Sequence, residues 1–233
     1  MSEVNKKKLE SIAVIPARKN SKRIKNKNIK LFFGKPIIYY SIYNLKKSGL
    51  FSKIIVTTDC IKIAKIAKKF GASIDFIRPA YLSNDRIGTL DVINHAVKFL
   101  KKKGEIYKYV CCVYPVAPLI NPIIFKRCFN ILKKFNFNYV FPISVQQGSN
   151  KTFLILNKNK TIKKKIHNFK KKNDVKCYND TGQYYWGKFD AWIEKRKIFS
   201  SKTKAVVLPK NSFVDVNTTS DWKILLKLYK NKK

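Results

Sequence analysis

Acidic residues are scarce in this chain of 233 residues: 13 Asp and Glu stand against 51 Lys and Arg, a formal net charge of +38. An excess of that size attracts polyanions, so nucleic acid and anionic membrane enter as possible partner classes. The cations, however, are nearly all lysines spread from end to end among abundant Asn and Ile. They form no stripe interleaved with aromatics, and no RNA or DNA module is recognisable, so a compositional bias explains them better than a selected nucleic-acid surface. Long apolar runs are also missing, and with them any candidate membrane span. No secretory leader opens the chain. The five Cys offer no metal-binding spacing, because Cys111 and Cys112 are adjacent within an apolar run, and an odd number suits a reducing compartment. A soluble cytoplasmic protein is therefore expected. His95 and His167 sit in no metal pattern, the GxxxxGK[ST] glycines of a P-loop are absent, and so are serine-nucleophile, thiol-base and zinc signatures.

What is present is ample material for one substantial core, with 45% hydrophobic and 13% aromatic residues. Residues 11–15 read as a fully buried strand ended by Pro16. Gly34, Lys35 and Pro36 break the chain before a helix running to about Lys47. Further strands are expected at 53–57, 74–77, 109–114, 139–145 and 205–208. Helices are expected ahead of Gly71 and over 89–99, 123–134, about 191–195 and 220–230. This alternation predicts an α/β fold with a mostly parallel sheet covered on both faces. Residues 146–180 break the pattern: they are polar and contain two short runs flanking Asn157-Lys158-Asn159-Lys160, the signature of a β-hairpin that leaves the main body as an arm. No repeat or long linker divides the chain, so residues 1–233 form one domain with that arm inserted.

Ligands on such sheets sit at the carboxyl ends of the strands. That rule singles out the stretch IPARKNSKRIKNKN, residues 15–28, just past strand one. Arg18, Lys22 and Arg23 share a short loop with backbone amides, and a triphosphate needs both kinds of donor. The alternative is a solvated lysine-rich surface; the position at a strand end favours the phosphate loop. Asp215, in SFVDVNTTSDW, could hold Mg²⁺ against phosphates. Residues 218–221 supply helix caps of their own, so Asp215 need not serve as one. Asp59 is either metal-facing or an Asx-turn residue, and His95 reads as structural. The cluster Asn179, Asp180, Thr181, Gly182 and Gln183 can hydrogen-bond a polyhydroxylated ligand. At least one of Tyr184, Tyr185 and Trp186 is expected in the core.

The segments IAVIPARKNSKRIKNKNIKLFFGKPIIYYSI, KIIVTTDC, FIRPAYLSNDRIGT, CCVYPVAPLI, YNDTGQYYWG and VDVNTTSDW span nearly the whole chain. In that order they resemble the acylneuraminate, legionaminate and pseudaminate cytidylyltransferases. TGQYYWG and CCVYPVAP are most similar to the pseudaminate branch. Sialic acid synthetases usually carry Gln-Pro-Thr-Ser-Pro where this chain has Tyr114-Pro115-Val116-Ala117-Pro118. The resemblance implies a Rossmann-like α/β/α sandwich of the nucleotide-diphospho-sugar transferase type, homodimeric through the β-hairpin arm. It implies transfer of CMP from CTP to the anomeric hydroxyl of a nonulosonic acid with Mg²⁺ as cofactor. It assigns Arg18, Asn20, Ser21, Lys22 and Asn28 to the phosphates, and Arg78 and Ser83 to the cytosine and ribose. Asp180, Gln183 and Tyr184 fall in the sugar region, and Asp215 with Asn217 at the metal. Arg18, Lys22 and Asp215 would carry catalysis.

Some positions depart from the pattern. Asn217 replaces the second metal carboxylate of the usual Asp-Ile-Asp-Thr. Asn84 stands for Asp, Asn179 for the pseudaminate-branch His, and Lys170 for an Arg in the arm. The rivals are the same reaction on sialic, legionaminic or eight-carbon keto-deoxy sugar, a catalytically inactive relative, and a nucleic-acid-binding protein on the same scaffold. The retained phosphate loop and Asp215 favour an active enzyme.

Overall fold

The computed structural model describes residues 9–21, 23–145, 152–167, 176–209 and 212–232. The opening apolar run forms β1 (Leu9–Pro16). A single turn of 3₁₀ helix and a two-strand ladder, β2 (Leu31–Phe32) and β3 (Lys35–Pro36), lead into α1 (Ile37–Ser48). Then come β4 (Lys53–Thr57), α2 (Ile61–Lys69), α3 (Thr89–Lys102) and β5 (Tyr107–Val113). Next is α4 (Pro122–Lys134), which starts where Asn121 accepts from the N–H groups of Ile123 and Ile124 and proline fills the first helical position. β6 (Tyr139–Val145) follows, then β7 (Thr152–Leu156), β8 (Ile162–His167), β9 (Tyr178–Asp180) and β10 (Tyr184–Lys188). The chain closes with α5 (Phe189–Ile193), β11 (Thr203–Val207) and α6 (Thr219–Lys230).

Nine strands make one sheet in the order β4-β1-β5-β10-β6-β9-β7-β8, with β11 alongside β6. β4, β1 and β5 are mutually parallel, and β11 runs parallel to β6. β10 enters antiparallel between β5 and β6, which keeps those two parallel to each other. Side chains alternate along β1 (Ala13 and Ile15 to one face, Ile12 and Val14 to the other), because successive strand residues point to opposite sides. One core layer packs α1, α2 and α4 on the sheet, and the other packs α3 and α5. This is the α/β/α sandwich that the alternation of elements predicted. A third apolar cluster joins Phe32, Ile37 and Tyr40 to Trp222 and Leu225 of α6. It docks the end of the chain beside the loop after β1.

Two expectations change. Residues 74–77 form no strand: Ser73 and Ile77 make isolated bridges to Ile55 and Thr58, and the chain turns away at Arg78-Pro79. The hairpin β7–β8 does not leave the body. β7 pairs with β9, Leu154 and Ile162 are buried in the core, and at the tip Ala205 N–H donates to Lys160 O at 3.0 Å. Polarity misled here because only one side of β8 is apolar. Residues 146–151 and 168–175, the rest of the expected arm with Lys170, lie outside the described residues. Among the described residues no helix is long and apolar enough to cross a membrane.

Candidate active site

The carboxyl ends of β1, β4 and β5 open into a cleft of about 630 Å³. The loop after β1 forms one wall and is fastened at two points. Lys19 N–H donates to Asp59 Oδ1 at 2.7 Å, tying the turn after β1 to the turn after β4. The buried Asn28 side chain donates to Arg18 O at 2.9 Å and closes the loop on itself. Arg18, Ser21, Arg23 and Lys27 all face the cleft. Arg18 Nη2 lies 2.6 Å from Asp85 Oδ1. Lys27 Nζ donates to Val216 O at 2.7 Å. Burial holds the Lys27 ammonium below its ordinary pKa, with Asp215 opposing that shift and Arg23 and Arg18 adding to it.

Among the described residues Arg78 is the most enclosed cation, only 3% exposed. Its Nε donates to Ser83 Oγ at 3.0 Å, and Nη2 lies 3.9 Å from Asp59 Oδ1. Nη2 has no hydrogen-bond partner among the described residues, although Arg78 lines the cleft. A buried guanidinium donor left over by the protein is suited to an acceptor on a ligand. Desolvation lowers its pKa, chiefly opposed by Asp59.

The opposite wall is acidic. Asp180 Oδ1 accepts from Gly182 N–H at 3.1 Å, and Oδ2 accepts from the Tyr185 hydroxyl. Burial raises the Asp180 pKa, with Tyr185 and Gly182 opposing and the Asp215 charge adding to the rise. Asp215 approaches closely: a Cβ on Gly182, which has φ +58°, would lie 3.1 Å from Asp215 Oδ1. The left-handed backbone favours glycine there, and any side chain would press on the Asp215 carboxylate. Asp215 is not a helix cap. Thr218 accepts from Asp221 N–H, and Asp221 accepts from Thr218 N–H, so a capping box starts α6 without it. The Asp215 carboxylate opens to the cleft, yet the surrounding walls desolvate it enough to raise its pKa. Asn217 Nδ2 donates to Asp215 Oδ2 at 2.7 Å, and Asn217 Oδ1 accepts from Arg23 Nη2 at 2.7 Å.

Of the residues singled out from the sequence, Arg18, Ser21, Asn28, Arg78, Asp180, Asp215 and Asn217 come together on this one cleft. Ser83 stands behind Arg78. Asn20 shares the loop but is not part of the lining, and Lys22 lies outside the described residues. Gln183 is buried, and its carbonyl accepts from Tyr114 N–H at 2.9 Å. Tyr184 faces the wrong way for a sugar ligand. Strand alternation sends it with Trp186 into the opposite core layer, against Phe125 and Cys128, and presents Tyr185 to the cleft instead. Sequence reasoning missed Tyr185 and Lys27; the signal for Lys27 was its place directly before Asn28. His95 packs edge-on to Phe76, as expected of a structural histidine. Among the described residues no three His, Cys, Asp or Glu side chains gather as a metal cluster.

A three-layer sandwich with cations and amides at the end of the first strand, and carboxylates lining the same cleft, is suited to binding a nucleotide's phosphates. The cytidylyltransferase family model matches residues 12–211, and the chain belongs to that family. It is 33% identical to the pseudaminic acid cytidylyltransferase of Campylobacter jejuni serotype O:2, over 95% of this chain and 97% of that one. It is 29% identical to the CMP-N,N'-diacetyllegionaminic acid synthase of Legionella pneumophila, over 93% of this chain and 95% of that one. Among solved structures, CMP:2-keto-3-deoxy-manno-octonic acid synthetase complexed with CTP superposes with a TM-score of 0.74. At 14% identity, covering 96% of this chain and 100% of that one, it shows a shared fold.

Proposed function

We propose that this enzyme transfers CMP from CTP to the anomeric hydroxyl of pseudaminic acid, releasing pyrophosphate. One observation carries the reading: a cationic loop faces two carboxylates across a single cleft, in a chain similar from end to end to pseudaminic acid cytidylyltransferases. The work asked of the protein is alignment of the attacking hydroxyl opposite the leaving pyrophosphate and neutralisation of charge. Arg18, Lys22 and Lys27, with Asn20, Ser21 and Asn28, take the phosphates. Arg78, steadied by Ser83, takes an acceptor of the base or ribose. Asp180, held by Tyr185 and Gly182, accepts from sugar hydroxyls, and Gln183 supports that turn.

The donor set also fits a divalent cation. Mg²⁺ is commonly held by one or two carboxylates plus substrate phosphates and water, and Asp215 offers a carboxylate with one oxygen engaged by Asn217. Bound there, Mg²⁺ would supply charge neutralisation on the phosphates. The reading includes a cytoplasmic enzyme, where CTP is available, and a homodimer using the β7–β8 hairpin.

Purified protein mixed with CTP, Mg²⁺ and, separately, pseudaminic, legionaminic, sialic and eight-carbon keto-deoxy acid tests the proposal by pyrophosphate release. Turnover with pseudaminic acid, falling at least about 100-fold in Asp215→Ala, is expected. Turnover only with another sugar would reassign the substrate. No turnover despite CTP binding would make the chain an inactive relative.

A further inference from the structure

Asn217 stands between two groups of opposite charge. Its Oδ1 accepts from Arg23 of the cationic loop and its Nδ2 donates to Asp215, each at 2.7 Å. The amide can face only this way, since a guanidinium offers donors alone and a carboxylate acceptors alone. The backbone is fixed as well. Asn217 N–H donates to Asp221 Oδ2 at 2.9 Å, and the buried Val216 gives its carbonyl to Lys27 Nζ at 2.7 Å. A side chain anchored on both sides, with its amide spent on charged partners, is built to hold its neighbours.

We infer that Asn217 is a positioning residue, a neutral bridge that couples Arg23 to Asp215 and presets both for the nucleotide, and not a ligand of the cation. The inference rests on the CTP-binding reading above. Two alternatives at this position show what the amide does. A side chain too short to reach would leave Arg23 able to fold onto Asp215 as a bidentate ion pair, taking both carboxylate oxygens. A carboxylate would pair with Arg23 but place a second negative charge against Asp215. The amide engages one oxygen of Asp215 and one nitrogen of Arg23, so cation and anion stay close without cancelling each other. To coordinate a metal ion, Asn217 Oδ1 would have to leave Arg23.

Calorimetric titration of CTP into sugar-free protein in EDTA tests this, using wild type, Arg23→Ala, Asn217→Ala and the double variant. Removing either partner of a charge-assisted contact should weaken metal-free CTP binding about tenfold. Adding the second substitution should then change little, because the two residues act as one unit. Three results would overturn the bridge. The first is a double variant weakened by the product of the single effects. The second is Asn217→Ala binding CTP normally in EDTA and weakly only with Mg²⁺, the behaviour of a metal ligand. The third is a lowered melting temperature with unchanged CTP affinity, the behaviour of a structural residue. If Asn217→Ala fails to fold, Asn217→Ser, too short to span both partners, replaces it in the cycle. Wild-type protein that binds no CTP either in EDTA or with Mg²⁺ would overturn the nucleotide reading as well, whereas wild-type binding with an additive cycle removes the bridge alone.

Discussion

Tyr184 and Tyr185 are adjacent in sequence and belong to different sides of the sheet. Tyr185 donates to Asp180 at the cleft, and its phenol is pushed far above the ordinary range by burial, with the Asp180 charge next in order. It therefore stays a donor at any working pH, and its bond opposes the burial that raises the Asp180 pKa. Replacing it by Phe removes that opposing contact together with the hydroxyl's hydrogen bond to Tyr114. Asp180 would then keep its proton to higher pH, and as its carboxylate is the form that accepts from the sugar, the acid limb of kcat/KM should move upward. At neutral pH, Tyr185→Phe should cost roughly tenfold in kcat/KM, the worth of one hydrogen bond to a charged group. A pH–rate profile checks both; an unmoved acid limb would separate Tyr185 from Asp180 function. The sequence could not nominate this tyrosine, because alternation says that neighbours part company without saying which face is the cleft. The phosphate loop was legible for the opposite reason. Arg18, Ser21 and Asn28 follow directly from the end of a buried strand, where the fold leaves ligands no other place. Asn217 was legible as a departure from a family pattern; its role as a partner of Arg23 was not, since 194 positions separate the two.

At the scale of elements, β10 is where the sheet departs from simple alternation. It lies antiparallel between β5 and β6, and Gly187 lets it fit: a Cβ there would meet Trp192 Nε1 at 2.4 Å and the Tyr139 ring at 2.6 Å. Both neighbours are fully buried, and each is tethered by a hydrogen bond, Tyr139 to Ala191 O at 2.9 Å and Trp192 to Val110 O at 3.3 Å, so neither can yield. Gly187→Ala should therefore destabilise by about 2–3 kcal/mol, as overpacking of a tight core does. In a chain of this size that lowers the melting temperature by roughly 5–10 °C, measurable by circular dichroism. An unchanged melting temperature would mean that β10 can shift away from α5. Helical and strand periodicity located most elements within a few residues, because each depends on its own pattern of burial. Pairing is different. Nothing within 184–186 specifies a direction or two neighbours, and nothing within 73–77 says that it will make two isolated bridges, to Ile55 of β4 and to Thr58 just past it, instead of forming a strand. The hairpin was recognised from its turn, but its attachment to the sheet runs through β9, a strand of three residues too short to announce itself.

For the whole molecule the open question is the charge. Much of the scarce acid is used locally: Asp75 and Glu105 both hold Lys53, Glu10 holds Lys133, Asp91 holds Lys195, and Asp59 and Asp85 face arginines of the cleft. The cations left over are spread along the whole sequence, which favours a broad positive field over a groove selected for a duplex or a strand. Such a field binds any polyanion by releasing its counterions, and that binding must collapse with salt. A fluorescent oligonucleotide should therefore bind at 50 mM salt with no preference for sequence or for RNA over DNA, and lose about 1,000-fold or more in affinity by 200 mM. CTP should respond far less over the same range. It carries no condensed counterion sheath, and its charges would meet Arg18 and Lys27 inside a cleft, at distances shorter than the Debye length of roughly 10 Å. Parallel anisotropy and calorimetric titrations across that range decide the matter. Oligonucleotide binding that survives 200 mM salt and prefers one sequence would mean that the lysines serve a partner, and would reopen the nucleic-acid reading. Collapse of the oligonucleotide signal alongside persistent CTP binding would assign the charge to composition and leave the cleft as the place where this chain recognises phosphate.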